Sequence, residues 1–189
     1  MSLQSGLPLF LGQLIRSPQK ISAIAPSSVA LARRMAMELP QDRSGPVVEL
    51  GAGTGKITQA LLESGVTPKD LHAFELNEEF VDRLHTSFPD IHVHHNKAQD
   101  MGQLGLNNVR AVVSGLPFLS MPGSIQIAIL RASFRAMGPD GVYIQFTYGP
   151  KSPVQERVAK ALALTYTKSE TIWANLPPAR VYSFRRSMV

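Results

Sequence analysis

Short apolar runs alternate with stretches of helical spacing along most of the chain. Apolar runs bounded by turn residues predict buried strands. The predicted strands cover residues 47–50, 71–75, 91–94, 109–113, 142–147, 164–173 and 180–184. The helices predicted between them cover residues 56–64, 78–88, 124–137, which Gly138 and Pro139 end, and 153–163. Before the first strand, helices are predicted over residues 4–16 and from Ser27 or Ser28, good N-cap residues, to Leu39.

The interleaved order of strands and helices indicates an α/β fold with a mostly parallel sheet built from βαβ units. Ligands of such sheets bind in the crevice at the carboxyl ends of the strands. The last two of the seven strands flank a turn-rich segment, which predicts an antiparallel hairpin at the edge of the sheet. We therefore expect an N-terminal helical extension over residues 1–40 and one α/β domain over residues 41–189.

The composition is that of a globular protein with one substantial core. The chain has 189 residues, of which 44% are hydrophobic and 17% charged, and it contains no cysteine. Disulfides, thiolate metal sites and thiol redox chemistry are therefore excluded. A bilayer crossing needs about 20 consecutive apolar residues, and no segment approaches this length. The first basic residue, Arg16, follows the apolar segment 7–15, so the basic start of a secretory signal is missing.

Basic residues are concentrated in the two ends of the chain. Residues 1–46 hold five basic and two acidic residues, residues 47–149 hold seven and ten, and residues 150–189 hold seven and two. Basic ends suit an anionic partner, which could be nucleic acid or a membrane surface. An ordinary solvated basic surface is the alternative.

A glycine-rich segment, ELGAGTGK at residues 49–56, follows the first predicted strand. A phosphate-binding P-loop would place Gly at position 50 and Ser or Thr at position 57, where the chain has Leu50 and Ile57. A dinucleotide fingerprint that begins at Gly51 would need a third Gly where the chain has Lys56. The segment therefore matches neither phosphate-binding motif.

The pattern that remains is Gly51, Gly53 and Gly55 preceded by Glu49. It resembles motif I of class I methyltransferases that use S-adenosylmethionine, whose glycines let the backbone approach the cofactor. An acidic Glu49 suits this ligand, which carries a sulfonium and an ammonium but no phosphate. Glu75 ends the next predicted strand, where such enzymes hold the ribose hydroxyls. A carboxylate stabilised by the dipole of the following helix is the alternative.

The adenine site is expected after the third predicted strand. Many class I methyltransferases have an Asp-Ala pair there, whereas this chain has Lys97 and Ala98. Gln99 or Asp100 would then contact the amino group of adenine.

Three histidines, His92, His94 and His95, occur in and after the same strand. Alternate residues of a strand point to opposite faces, and no carboxylate or thiol cluster accompanies the histidines. We therefore expect no metal site.

The end of the fourth predicted strand reads VSGLPF at residues 113–118. This segment resembles the Asn-Leu-Pro-Tyr motif of amino-group methyltransferases, in which an Asn side chain and a backbone carbonyl orient the nitrogen. Gly115 replaces the Asn, which argues against a flipped adenine as the substrate. A plain turn is the alternative. For an amine that becomes a cation, Phe118 and Tyr148 would supply aromatic faces, unless they pack in the core.

Five segments together resemble the soluble bacterial phospholipid N-methyltransferases, over residues 10–186. These segments are residues 24–28, 49–56, 114–118, 145–150 and 173–181. The resemblance implies a Rossmann-like class I methyltransferase fold. It also implies stepwise methylation of phosphatidylethanolamine toward phosphatidylcholine, with S-adenosylhomocysteine as the second product.

The resemblance also implies roles for individual residues. The residues expected at the reaction centre are Ser114, Gly115, Leu116, Phe118 and Tyr148. The residues expected to bind the cofactor are Ser27, Ser28, Glu49, Gly51, Gly53, Gly55, Glu75, Leu76, Ala98, Gln99 and Ser114. Lys151 and Arg180 are the candidates for the lipid phosphate.

Such an enzyme would be a cytoplasmic monomer associated peripherally with the anionic inner face of the membrane, with no metal or nucleic acid partner. The apolar residues of segment 3–15 fall mostly on one side of a helix, which could lie in the membrane interface or pack on the domain. Because Pro8 disfavours a helix interior, the helix would begin near that residue.

Two other functions fit parts of the chain. A ribosomal RNA adenine dimethyltransferase would share the glycine loop, but it would carry Asn in place of Gly115 and a larger C-terminal domain. A non-catalytic interaction protein would be expected to have lost the glycine loop or Glu75, and both are present.

Overall fold

The computed structural model describes residues 25–148 and 150–187, and the side chains from residue 29 onward within those ranges. The predicted helix over residues 4–16 therefore lies outside the described residues. The helices are α1 (Ala25–Ala36), α2 (Lys56–Glu63), α3 (Glu78–Ser87), α4 (Gly123–Ala136) and α5 (Glu156–Ala161). The strands are β1 (Val47–Leu50), β2 (Leu71–Glu75), β3 (His92–His95), β4 (Val109–Ser114), β5 (Met137–Thr147), β6 (Leu164–Lys168) and β7 (Arg180–Arg186).

The seven strands form one sheet in the order β3-β2-β1-β4-β5-β7-β6. Strands β1 to β5 pair in parallel, whereas β7 is antiparallel to both of its neighbours. This confirms the predicted mostly parallel sheet with a C-terminal antiparallel hairpin. The strand order reverses between β1 and β4, so the expected ligand crevice lies outside the carboxyl ends of these two strands.

The C-terminal hairpin brings a loop to the same edge of the sheet. Arg180 at the start of β7 pairs with Thr147 at the end of β5, and Lys168 at the end of β6 pairs with Tyr182. The loop that joins β6 to β7, residues 169–179, therefore lies at the edge where the parallel strands end.

Both faces of the sheet are covered by apolar side chains, which explains why the central strands are continuous apolar runs. Val47 packs in a cluster with α1 and α2, whereas Val48 packs in a second cluster with α4. This alternation follows from the two-residue period of a strand. Leu31 and Met35 of α1 are buried in the first cluster, so this part of the predicted extension packs against the domain.

Some predicted boundaries are wrong. Ser27 and Ser28 lie inside α1, so neither is the residue that precedes the helix. Strand β6 ends at Lys168, and residues 169–179 form a loop with a single bridge between Ile172 and Ala179.

The predicted turn at Gly138 and Pro139 proves to be an interruption within β5. Met137 already has extended dihedral angles and pairs with Val109, whereas the next pair in the ladder joins Val142 to Ala111. Residues 138–141 are thus left out of the ladder, as expected for a segment whose proline has no amide donor.

Candidate active site

The glycine loop turns the chain from β1 into α2 through left-handed backbone conformations. The φ angles are 72° at Gly51, 53° at Gly53 and 81° at Gly55. Other residues adopt such angles only with strain. Gly55 precedes α2, and a Cβ there would lie 2.5 Å from the ring of Phe88. Backbone conformation and packing therefore both select glycine in this loop.

Glu49 is fully buried at the end of β1, beneath the glycine loop. Its Oε2 accepts a 2.6 Å hydrogen bond from the Thr58 hydroxyl, while no described residue bonds its buried Oε1. Burial raises the pKa of Glu49 to about 7. The hydrogen bond from Thr58 favours the carboxylate and acts to lower this pKa, but burial has the larger effect. An unpartnered acidic oxygen in this position fits a ligand with a cationic group, as S-adenosylmethionine has.

Glu75 connects the glycine loop to the residues after β2. Its Oε2 accepts a 2.8 Å hydrogen bond from the Gly53 amide, and its Oε1 accepts bonds of 2.8 and 2.9 Å from the amides of Leu76 and Asn77. Asn77 in turn caps α3 by accepting from the Phe80 amide. The carboxylate thus lies at the carboxyl end of β2 beside the loop, and its contact with the ribose stays a prediction.

The end of β4 lies directly against the glycine loop. The Gly115 amide donates a 2.8 Å hydrogen bond to the Leu50 carbonyl. A Cβ at Gly115 would lie 2.8 Å from the Gly51 carbonyl oxygen and 3.5 Å from that of Leu50. Because the closer of these, the Gly51 carbonyl oxygen, is a backbone atom, this position has no room for the Asn found in the amino-methyltransferase motif.

The carbonyl of Leu116 is held by two donors from the protein. Gln145 Nε2 donates at 2.9 Å and the Phe118 amide also at 2.9 Å. Gln145 pairs with Ser114 across β4 and β5, and its Oε1 is buried with no hydrogen-bond partner in the part of the chain described. Sequence reasoning missed Gln145, although a polar amide inside the apolar run 142–146 was a detectable signal.

The two predicted aromatic residues differ in their surroundings. Phe118 is buried in the second core cluster, with its ring centroid 5.7 Å from that of Tyr143. This placement favours the core alternative, so the predicted contact of Phe118 with the substrate is not supported. Tyr148 follows β5, is partly buried and meets Phe146 edge-on at 5.1 Å. Burial raises the pKa of Tyr148, while the nearby Asn175 side chain acts to lower it.

The predicted adenine residues lie just beyond β3. Ala98 is buried and begins a short 3-10 segment, Ala98–Leu104, while Gln99 is partly buried. Leu76 is exposed at the neighbouring strand end, where its carbonyl contacts His95 Nε2 at 3.0 Å. The cofactor contacts of these residues remain predictions. The same holds for Ser27 and Ser28, whose side chains the structure does not describe.

The histidines stack on one another along β2 and β3. The ring of His72 lies 4.5 Å from that of His92 between centroids, and His72 Nδ1 is 3.1 Å from His94 Nε2. Burial lowers the pKa of His72 to about 4. Within residues 25–148 and 150–187, no group of three or more His, Asp or Glu side chains could hold a metal ion.

The two candidate phosphate ligands lie near the ends of β5 and β7. Arg180 is partly buried, and its Nε donates a 2.8 Å hydrogen bond to the Thr171 hydroxyl. Lys151 is exposed, three residues after Tyr148. Their roles remain predictions. None of the described helices is long and apolar enough to cross a bilayer.

The fold is shared with several solved methyltransferases. The 1,6-didemethyltoxoflavin-N1-methyltransferase of Burkholderia thailandensis, with S-adenosylhomocysteine bound, matches 100% of this chain and 92% of its own, with a TM-score of 0.72 and 13% identity. A TehB-like S-adenosylmethionine-dependent methyltransferase from Corynebacterium glutamicum matches 95% of this chain and 100% of its own, with a TM-score of 0.65 and 16% identity. These matches show that the chain shares the fold of solved methyltransferases.

Sequence comparison gives a narrower assignment. The chain is 30% identical over 186 residues to the ornithine lipid N-methyltransferase of Singulisphaera acidiphila, an alignment that covers 94% of each chain. It is also 46% identical over 61 residues to ribosomal RNA small subunit methyltransferase A of Parabacteroides distasonis, but these are 32% of this chain and 22% of that protein. No protein-family model matches the chain. The chain belongs to the methyltransferase family that includes the ornithine lipid N-methyltransferase.

Proposed function

We propose that this enzyme methylates the headgroup amine of phosphatidylethanolamine, and of its mono- and dimethyl forms, toward phosphatidylcholine. The observation that carries the proposal is the close approach of Gly115 to the Gly51 carbonyl, which excludes the Asn that orients a planar adenine amine. The Leu116 carbonyl, the other orienting acceptor of that motif, already accepts two hydrogen bonds. A flexible primary amine that needs no planar recognition suits such a site better than a nucleobase.

The cofactor would occupy the crevice between β1 and β4. Bound there, S-adenosylmethionine supplies an electrophilic methyl group on a cationic sulfur. Glu49 would stabilise the cationic amino-acid end through its unpartnered Oε1, and Glu75 would bind the ribose. Open space at the glycine loop supports this proposal at Gly53, where a Cβ would meet nothing within 4 Å.

The acceptor amine would approach from the ends of β4 and β5. Methyl transfer is an in-line displacement, so positioning of a neutral nitrogen supplies most of the rate. The ring of Tyr148, which packs edge-on against Phe146, would stabilise the positive charge that grows on the nitrogen. Arg180, at the start of β7 beside Thr147, would contact the phosphate of the same lipid.

A second candidate acceptor is the amine of an ornithine lipid. The full-length similarity to the Singulisphaera acidiphila enzyme favours it. Both candidates are primary amines on membrane lipids, and they differ in the phosphate that only phosphatidylethanolamine presents to a cationic side chain.

The test is methyl transfer from radiolabelled S-adenosylmethionine by the purified full chain. Acceptors are vesicles of phosphatidylglycerol mixed with phosphatidylethanolamine, the same vesicles with an ornithine lipid instead, and unmethylated small-subunit ribosomal RNA. We expect label in phosphatidylethanolamine, with mono-, di- and trimethyl products separated by mass spectrometry. Transfer only to the ornithine lipid would show that phosphatidylethanolamine is not the acceptor and that the ornithine lipid is. Transfer only to RNA would overturn both.

A further inference from the structure

The most exposed apolar side chains at the active-site edge lie in one loop. Trp173 is 79% exposed and Leu176 is 73% exposed, both within the 169–179 loop between β6 and β7. Among the described large apolar residues only Met37, at 71%, is similarly exposed, and it lies on the segment that leads into the amino end of β1. Trp173 is the only tryptophan of the chain.

The 169–179 loop is held firmly enough to keep these side chains outward. The Ser169 amide donates to the Val181 carbonyl at 2.8 Å, and the Ile172 amide donates to the Ala179 carbonyl at 2.8 Å. The buried Asn175 donates from its Nδ2 to the Pro177 carbonyl at 2.7 Å. Asn175 lies between the two exposed residues and anchors the loop, so Trp173 and Leu176 project from an ordered segment.

The same loop contacts the proposed acceptor site. The side chain of the buried Asn175 lies close enough to Tyr148, at the end of β5, to lower the pKa of its hydroxyl. The pairing of Arg180 with Thr147 fixes the far end of the loop at this edge. A surface that met Trp173 and Leu176 would therefore lie directly beside the entrance for the amine.

Basic residues lie at both ends of the loop that carries the exposed apolar pair. Lys168 and Arg180 stand at the two ends of the loop, and Lys151 is nearby because the Tyr182 hydroxyl donates to the Pro150 carbonyl at 3.3 Å. Glu170 is the acidic residue among them. An indole with adjacent aliphatic and basic side chains is the combination that favours the interface of an anionic bilayer.

We propose that the 169–179 loop inserts Trp173 and Leu176 into the interfacial region of an anionic bilayer and so presents the acceptor site to lipid headgroups. This inference rests on the proposed function, since it names the surface from which that site takes its substrate. The basic residues around the loop attract the anionic headgroups, and the apolar pair enters the boundary with the acyl chains.

The single tryptophan makes insertion directly observable. We expect the emission of the full-length protein to shift to shorter wavelength on addition of phosphatidylglycerol and phosphatidylethanolamine vesicles, and to be quenched by lipids brominated near the headgroup. Zwitterionic phosphatidylcholine vesicles should give a weaker shift. Emission that stays unchanged while the protein sediments with anionic vesicles would overturn the proposal. So would a shift that depends only on protein concentration, because it would show a second copy covering the loop.

Variants separate docking from chemistry. The double variant Trp173→Ser with Leu176→Ser should lose at least tenfold of the activity on vesicle lipid, while it keeps its cofactor affinity and its activity on short-chain, monomeric phosphatidylethanolamine. Met37→Ser is the matched control, and it should keep its activity on vesicle lipid, its cofactor affinity and its activity on monomeric lipid. Equal loss on vesicles and on monomeric lipid, or no loss on either, would contradict the docking role. If the unmodified protein methylates no lipid, the proposed function fails, while the fluorescence test of docking still stands.

Discussion

The Thr58 hydroxyl lies 2.6 Å from Oε2 of Glu49 and supports a carboxyl group that is otherwise cut off from water. Because burial raises the pKa of Glu49 to about 7, this acid is largely protonated below neutral pH when no ligand is bound. A cationic ligand that needs the carboxylate must then displace a proton.

Cofactor affinity should therefore rise with pH until about pH 7 and level off above it. Below this value each decrease of one pH unit should raise the Kd of S-adenosylmethionine up to about tenfold, because one proton is released per ligand bound. Calorimetric titration in two buffers of different ionisation enthalpy measures this proton release directly.

The Thr58→Val variant should move the midpoint of this pH dependence upward, since it removes a hydrogen bond that favours the carboxylate. The matched control is Thr86→Val, because the Thr86 hydroxyl bonds only the Asp82 carbonyl on α3. Proton release that is absent at pH 6 would contradict the assignment of Glu49 to the cationic end of the cofactor.

Gly115→Ala should destabilise the fold by about 1 to 3 kcal/mol, the usual effect of overpacking. The added methyl would meet the Gly51 carbonyl oxygen at 2.8 Å, and relief of that contact must move the glycine loop. We expect weaker cofactor binding as well as a lower midpoint in thermal unfolding. Gly102→Ala is the control, because a Cβ there meets nothing within 4 Å. Equal behaviour of the two variants would disprove the steric argument.

Gln145→Leu should lower kcat far more than it weakens cofactor binding. The substitution removes one of the two donors to the Leu116 carbonyl, and a typical hydrogen bond contributes about 0.5 to 1.5 kcal/mol to stability. The control is Gln126→Leu, which removes a comparably buried amide that bonds the carbonyls of Phe118 and Pro153. Similar loss of stability with a larger loss of kcat at Gln145 is the expected result, and equal kcat values would show a structural role alone.

Tyr148→Leu should reduce methyl transfer by about 2- to 30-fold, the range that corresponds to a cation–π contact of 0.5 to 2 kcal/mol. Tyr148→Phe keeps the ring and should retain most of the rate, although it loses the hydroxyl beside Asn175. Single-turnover rates on phosphatidylethanolamine compare the two variants. A Phe variant as impaired as the Leu variant would assign the role to the hydroxyl.

The stability of the protein should fall as the pH drops from about 6.5 toward 4 because of His72. Its pKa in the folded state is about 4, so the unfolded chain takes up this proton first and gains stability relative to the fold. Glu49 changes the stability in the opposite sense between pH 4.5 and 7. This contribution is the same in variants that keep Glu49, so it cancels when their unfolding profiles are compared. His72→Phe should flatten the acid side of the unfolding profile, whereas His85→Phe on the surface of α3 should leave it unchanged.

The sequence predicted β1 and β2 with their observed bounds because both are short, mostly apolar runs flanked by turn residues. It also predicted the residues of the glycine loop, whose spacing reflects local backbone conformation. Both features depend on neighbours along the chain, which a sequence pattern records.

Features that depend on distant contacts were not predicted. The interruption at residues 138–141 arises from pairing between β4 and β5, and the burial of Phe118 depends on its contact with Tyr143. The steric reason for Gly115 lies in the Gly51 carbonyl, 64 positions earlier in the chain. Gln145 could have been noticed as a polar residue in an apolar strand, but its partner could not.

The position of β7 between β5 and β6 has a consequence for biosynthesis. Until residues 180–186 have emerged from the ribosome, β5 has an unpaired edge and β6 has no strand to join. The nascent chain therefore displays the open side of a nearly complete parallel sheet, which is a site for aggregation. The sheet of this enzyme can be completed only after translation of β7.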